Sequence, residues 1–150
     1  MRVSVGPIER DEVAAAVRLL EAGTLSPGTE HVERLDDYWD AVLETRRRRG
    51  DVLVARFDGE VIGVCQVMVF VHFQHTGEWC CEVESVHVRA ELRSRGVGAR
   101  LLEAAETLAR ARGCYRMQLT SRNVRVDAHR FYSRLGFEQT SQGFKKALGD

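Results

Sequence analysis

The chain has 150 residues, a length that fits one domain able to bury a substantial core, and 44% of them are hydrophobic. Lysine plus arginine number 22 and aspartate plus glutamate number 22, so the formal charge is zero, which argues against a nucleic-acid partner. The apolar run at 61–71 is interrupted by Gln66 and too short to span a bilayer, and no apolar stretch of a signal peptide precedes Glu9-Arg10-Asp11-Glu12, so neither a membrane protein nor a secreted precursor is expected.

Residues 3–5 alternate and read as a short strand. Asp11 then precedes Val13, Val17, Leu19 and Leu20, an amphipathic helix pattern that ends near Gly23. Ser, Pro and Gly make 24–29 a loop. Helical spacing returns at 31–49, through Val32, Leu35, Trp39, Val42 and Leu43. That segment closes on four arginines and Gly50; cations suit the end of a helix and glycine the residue after it. Two strand-like runs, 52–57 and 61–73, flank Asp58-Gly59, a strong hairpin signal. A loop is expected around 72–77, a strand at 79–88 and a polar loop at 90–94. From Gly96 a helix places Val97, Leu101, Leu102, Ala105, Leu108 and Ala109 on one face and stops at Gly113. A strand at 115–120 and a short helix at 127–135 follow, and 137–148 is expected to supply one or two final strands. The order is that of an α/β protein with a mixed sheet, and no repeat or linker divides it, so 1–150 reads as a single domain.

The cysteines, at 65, 80, 81 and 114, include no CxxC pair, and adjacent Cys80 and Cys81 would point to opposite faces of a strand. They read as reduced thiols used as small apolar residues, which places the chain in the cytoplasm.

Chemistry concentrates where the strand at 79–88 runs into the helix at 96. Helix amino termini carry unpaired N–H groups and the positive end of the dipole. Gly96 and Gly98 let the backbone approach a phosphate, and Arg89, Arg93, Arg95 and Arg100 gather positive charge there. The anion is neither that of a P-loop, which needs GxxxxGK before Ser or Thr, nor that of a Rossmann fold, whose third glycine position is Leu101. No GxSxG elbow supports a serine hydrolase.

Arg93-x-x-Gly96-x-Gly98 after Val86-x-Val88 resembles the acetyl-CoA pyrophosphate loop of the GNAT N-acetyltransferase superfamily. Asn123, Ala128, Phe131-Tyr132 and Leu135-Gly136-Phe137 match that superfamily's second signature, and the element order agrees across the chain. Within it, Asp127-Ala128-His129-Arg130-Phe131-Tyr132, Glu138-Gln139, the ending Lys146-Ala147-Leu148 and the stretch Val71-His72-Phe73-Gln74-His75 look similar to bacterial aminoalkylphosphonate N-acetyltransferases.

The resemblance implies a GNAT fold with a mixed sheet of six to seven strands and about four helices. It implies acetyl-CoA as cosubstrate, a small primary amine as acceptor, and direct transfer between them. Glu84 matches the general base, with Glu82, on the same strand face, in reserve, and Tyr132 matches the general acid. The backbone of Val86, His87 and Val88 would pair with the pantetheine arm, with the His87 side chain facing solvent. Arg93, Ser94, Arg95, Gly96, Val97, Gly98 and Ala99 would cradle the pyrophosphate, with Asn123 and Phe131 completing the cofactor site. His72 and His75 form HxxH on a strand end without further ligands, so no metal is expected. Arg122, Arg130 and His75 are candidate partners for a phosphonate. An antibiotic, an amino acid or a protein lysine is the alternative acceptor, and a non-catalytic coenzyme A-binding module the alternative class. Family members often pair, so the resemblance allows a homodimer.

Overall fold

The computed structural model describes residues 1–149. Five strands form one sheet in the order β1 (Ser4–Pro7), β2 (Asp51–Phe57), β3 (Glu60–Val71), β4 (Trp79–Val88) and β5 (Cys114–Leu119). Neighbours are antiparallel except β4 and β5, which run parallel because the helix α4 (Val97–Ala111) carries the chain back between them. The β2–β3 turn is the expected Asp58-Gly59, both residues at positive φ, as the hairpin geometry requires.

Helices cover both faces. On one, α4 buries Val97, Leu101, Leu102, Ala105 and Ala109 against Leu53, Ala55, Cys65, Val67, Cys81 and Val83. Leu101 is fully buried, which contributes roughly 2–3 kcal/mol. Phe131 and Tyr132 of α5 (Val126–Arg134) join this layer. On the other face, α1 (Val13–Gly23) and α2 (Leu35–Arg47) pack Val13, Val17 and Val42 on Val54, Val61 and Val64. Cys80 and Cys81 are both fully buried, since both faces of β4 are covered where they sit, and all four cysteines are free thiols.

Four expectations need correction. The α2 helix begins at Leu35 rather than 31, because the chain turns first, from Arg34 N–H to His31 C=O at 2.9 Å. The left-handed residue closing it is Arg49, φ 76°, not Gly50. Gly50 is required for a different reason: a Cβ there would stand 2.0 Å from the Val67 carbonyl oxygen on β3. Backbone cannot move aside cheaply, so Gly50→Ala is expected to cost about 2 to 3 kcal/mol, read as a lower urea midpoint at unchanged slope. The loop at 72–77 contains a short helical turn, α3 (Gln74–Gly77), with His75 and Thr76 left-handed. Finally, the described part of 137–148 contains no strand, so the sheet has five strands rather than six to seven, alongside five helices. Phe137 packs on Tyr132, but Phe144 and Leu148 beyond it are 94% and 91% exposed, so no apolar burial fastens the segment to the sheet edge.

Candidate active site

The site is built around an irregularity in β4. Gln66 pairs with Glu84 and Val64 with His87, so Ser85 and Val86 together face the single residue Cys65. Ser85 sits at φ 57°, the left-handed backbone of a β-bulge. Pairing with β5 stops just before this point, at Val83 opposite Leu119, while pairing with β3 continues to Val88. From Glu84 onward, β4 therefore has no strand on its β5 side among the described residues. The two parallel strands part, leaving a slot whose wall is the free backbone edge of Val86, His87 and Val88.

Register and packing sort the side chains around the slot. Glu84 shares its row with Gln66, which donates to Thr45 Oγ1 of α2 at 3.1 Å, so Glu84 lies on the α1/α2 face. Tyr132 lies on the opposite face, in the α4 layer with Cys65. The two candidate catalytic groups thus flank the slot from opposite sides of the sheet. Burial pushes the Glu84 carboxyl above its usual range, Glu82 adds to the effect and Lys145 opposes it. Burial likewise raises the Tyr132 phenol, against Arg125 and with Cys65. Desolvation disfavours the charged form of each, which suits a base poised nearer neutrality and an acid that keeps its proton.

His87 departs from the expected solvent-facing position. Its ring packs so closely on the end of α1 that a Cβ on Gly23 would lie 2.2 Å from its Nδ1. Burial, then Arg125 and Arg93, push its pKa down, against Glu30. Its backbone remains on the slot edge.

Beyond β4, a 3-10 turn at Ala90–Leu92 leads into a loop with Ser94 at φ 64° and Gly96 at φ 84°. The first backbone bond of the helix end is Arg100 N–H to Gly96 C=O, 3.1 Å. The amides of Ser94, Arg95, Gly96, Val97, Gly98 and Ala99 precede it and take no acceptor among the described residues. They form a nest of donors at the positive end of a 15-residue helix. The two glycines do different work. Open space surrounds a Cβ built on Gly96, whereas one on Gly98 would lie 3.1 Å from Cζ of Phe131, so Gly98 makes room for α5. Only two of the four local arginines are free to face an anion. Arg89 pairs with Glu60 and Glu91, and Arg100 donates to Val3 C=O at 2.9 Å; Arg93 and Arg95 have no ion pair among the described residues.

Asn123 stands in a turn closed by Arg125 N–H to Arg122 C=O, 2.9 Å, just past the end of β5. Two nearby residues escaped the sequence reading. Ser121 Oγ is buried with no hydrogen-bond partner among the described residues. Arg125 donates to Gly23 C=O at 2.9 Å, tying α5 to α1 across the two faces. An isolated serine and arginine in a loop carry no spacing signal. The cations proposed for a phosphonate are not brought together. Arg130 sits 3.5 Å from Asp127 on α5, Arg122 lies in the turn, and His75 belongs to an aromatic cluster with His72 and Tyr115 at the start of β5. No third His, Cys, Asp or Glu joins His72 and His75 into a metal-holding group among the described residues.

A slot with a free strand edge, an orphaned hydroxyl and a nest of amides fits a pantetheine arm ending in a pyrophosphate. The model of the acetyltransferase (GNAT) family matches residues 14–137. The chain belongs to that family. Its members draw acetyl from acetyl-CoA. The chain is 36% identical over 91 residues to the aminoalkylphosphonate N-acetyltransferase of Salmonella typhimurium, covering 61% of this chain and 58% of that one. It is 26% identical over 133 residues to the glucosamine 6-phosphate N-acetyltransferase of Trypanosoma brucei brucei, covering 87% and 85%. Among solved structures, a transcriptional regulator from Bacillus halodurans C-125 superimposes with a TM-score of 0.89 at 28% identity, over 98% of this chain and all of that one. None of the helices among the described residues is long and apolar enough to cross a membrane.

Proposed function

We propose that this GNAT protein transfers acetyl from acetyl-CoA to the primary amine of a small molecule, with an aminoalkylphosphonate as the leading acceptor. The observation that carries the reading is the placement of Glu84 and Tyr132 on opposite sides of one slot. An amine arrives from the α1/α2 face and the thiol departs on the α4/α5 face, so each proton is handled where it is released or needed. Glu84, through a water, takes the proton that the ammonium must lose before it can attack. A C–N bond forms and the C–S bond breaks, with a bulge amide positioned to hydrogen-bond the carbonyl oxygen. The acetylated nitrogen releases its second proton to solvent, and Tyr132, having given its proton to the leaving sulfur, regains one from solvent. Arg93, Arg95 and the amides of 94–99 hold the pyrophosphate, while Asn123 and Ser121 border the pantetheine arm. The four free thiols, three of them buried, fit a reducing compartment, and the reading places the reaction in the cytoplasm.

The test is thiol release from acetyl-CoA across a panel of aminoalkylphosphonates, amino acids, polyamines and aminoglycosides. Turnover is expected, with preference for an aminoalkylphosphonate. Preference for another amine removes the phosphonate assignment and keeps the transfer. Bound coenzyme A without turnover of any amine, peptide lysines included, overturns the enzyme reading in favour of a binding module.

A further inference from the structure

The face of the sheet that carries Glu84 has a charge order that extends beyond the catalytic groups. Paired residues share a face, so the register lays out rows across β3, β4 and β5. Gln66 and Glu84 form the first row, Met68, Glu82 and Gln118 the second, and Phe70, Cys80 and Arg116 the third. The α1 and α2 helices pack beside the first row, while Met68, Phe70, Glu82 and Gln118 remain partly exposed. A fourth layer continues the line. The His72 ring meets Phe70 at 5.3 Å, His72 Nδ1 lies 3.1 Å from the Tyr115 hydroxyl, and His75 packs on both rings.

Along these rows the chemistry changes from two carboxylates, with the Lys145 cation acting on Glu84, to an amide, a guanidinium and two imidazoles. Arg116 is the pivotal group. It is exposed, has no carboxylate within ion-pairing distance among the described residues, and stacks over the Tyr115 ring at 5.3 Å. Its Nη2 donates to Gln118 Oε1 at 2.9 Å, which draws the guanidinium back toward the second row. One row is about 7 Å from the next along a strand. Arg116 thus stands one row from Glu82 and two rows, about 14 Å of backbone, from Glu84. Its long side chain, drawn back by Gln118, shortens that gap toward the span of an ammonium and an anion two or three carbons apart.

We propose that Arg116, braced by Gln118 and bordered by His72 and Tyr115, is the specificity-determining residue that receives the anionic end of the acceptor, a phosphonate, phosphate or carboxylate, while Glu82 and Glu84 receive its ammonium. This rests on the acetyltransferase reading and names the acceptor class of that same site. The remaining guanidinium N–H groups present the planar fork that an oxyanion accepts bidentately. The same cation repels a polycationic antibiotic, so the arrangement selects against that alternative as well.

The experiment compares Arg116→Ala and Arg116→Lys with the unaltered protein on 2-aminoethylphosphonate, β-alanine and ethanolamine, three amines of similar reach with a phosphonate, a carboxylate and no anion. The expected result is an anionic amine preferred over ethanolamine, a KM for it raised about 10- to 100-fold in Arg116→Ala with a much smaller change in kcat, and partial recovery in Arg116→Lys. The selectivity ratio over ethanolamine falls by the same factor, which separates charge recognition from a loss of fold. Which of the two anions shows the effect identifies the headgroup. A preference for ethanolamine, or a selectivity ratio untouched by Arg116→Ala, overturns the proposal and leaves the transferase reading standing. If no amine is turned over, that reading fails on its own. The subsite is then judged by calorimetry with 2-aminoethylphosphonate in the presence of coenzyme A: binding lost in Arg116→Ala supports it, and no binding to the unaltered protein overturns it.

Discussion

Glu84→Gln is expected to lower kcat/KM on the order of 100-fold or more while leaving coenzyme A affinity close to that of the unaltered protein. The amide keeps the shape of the side chain and its row beside Gln66, so packing is preserved and only the proton acceptor is lost. The pH profile supplies the sharper check. A base works when deprotonated, so activity falls as pH drops through the folded-state pKa of Glu84. Burial and Glu82 raise that value, which places the acid limb above the ordinary carboxylate range. In Glu84→Gln the limb should vanish from the residual rate. In Glu82→Gln one of the two raising influences is gone, so the limb should move to lower pH. Full activity in Glu84→Gln, or a limb that stays fixed in Glu82→Gln, would show that another group takes the proton.

The two halves of the site were unequally legible in the chain. The nest at 94–99 announces itself because glycine, arginine and the onset of an amphipathic helix are local signals, and the Asp58-Gly59 hairpin is visible for the same reason. The bulge at Ser85 is silent: a serine at positive φ inside a strand of ordinary composition has no sequence mark. That bulge returns His87 to the face of Glu84 and marks where the slot opens. Arg116 was equally hidden, since its place beside Cys80 depends on a register irregularity at the start of the β4–β5 pairing. Arg89 and Arg100 show the reverse case, residues whose charge suggested the anion site but whose partners are Glu60 and the Val3 carbonyl. The expected strands after Phe137 fail on burial, because Phe144 and Leu148 find nothing to cover them. Short-range pattern reaches elements and turns; partner choice across the sheet lies beyond it.

Replacing Tyr132 by Phe is expected to reduce kcat about 100-fold with little change in the KM for acetyl-CoA. The ring should hold its place, since it packs 5.3 Å from Phe131 and 5.9 Å from Phe137 and lies within the buried layer under α4. What disappears is one O–H in a desolvated position. The proton matters most when the leaving thiol is a weak acid, as an alkyl thiol is, being no more acidic than a cysteine side chain with its pKa of about 8.5. Thioesters of more acidic aryl thiols expel their sulfur without help, so the deficit of Tyr132→Phe should shrink steadily as the leaving-group pKa falls. A structural defect would slow every donor alike. The basic side of the pH profile gives an independent sign. An acid works when protonated, and burial lifts the phenol above its ordinary value, so Tyr132 does not limit the rate until pH exceeds the usual tyrosine range. A deficit that is the same for aryl and alkyl donors would move Tyr132 from proton donor to packing residue and leave the thiolate to be stabilised by the slot itself.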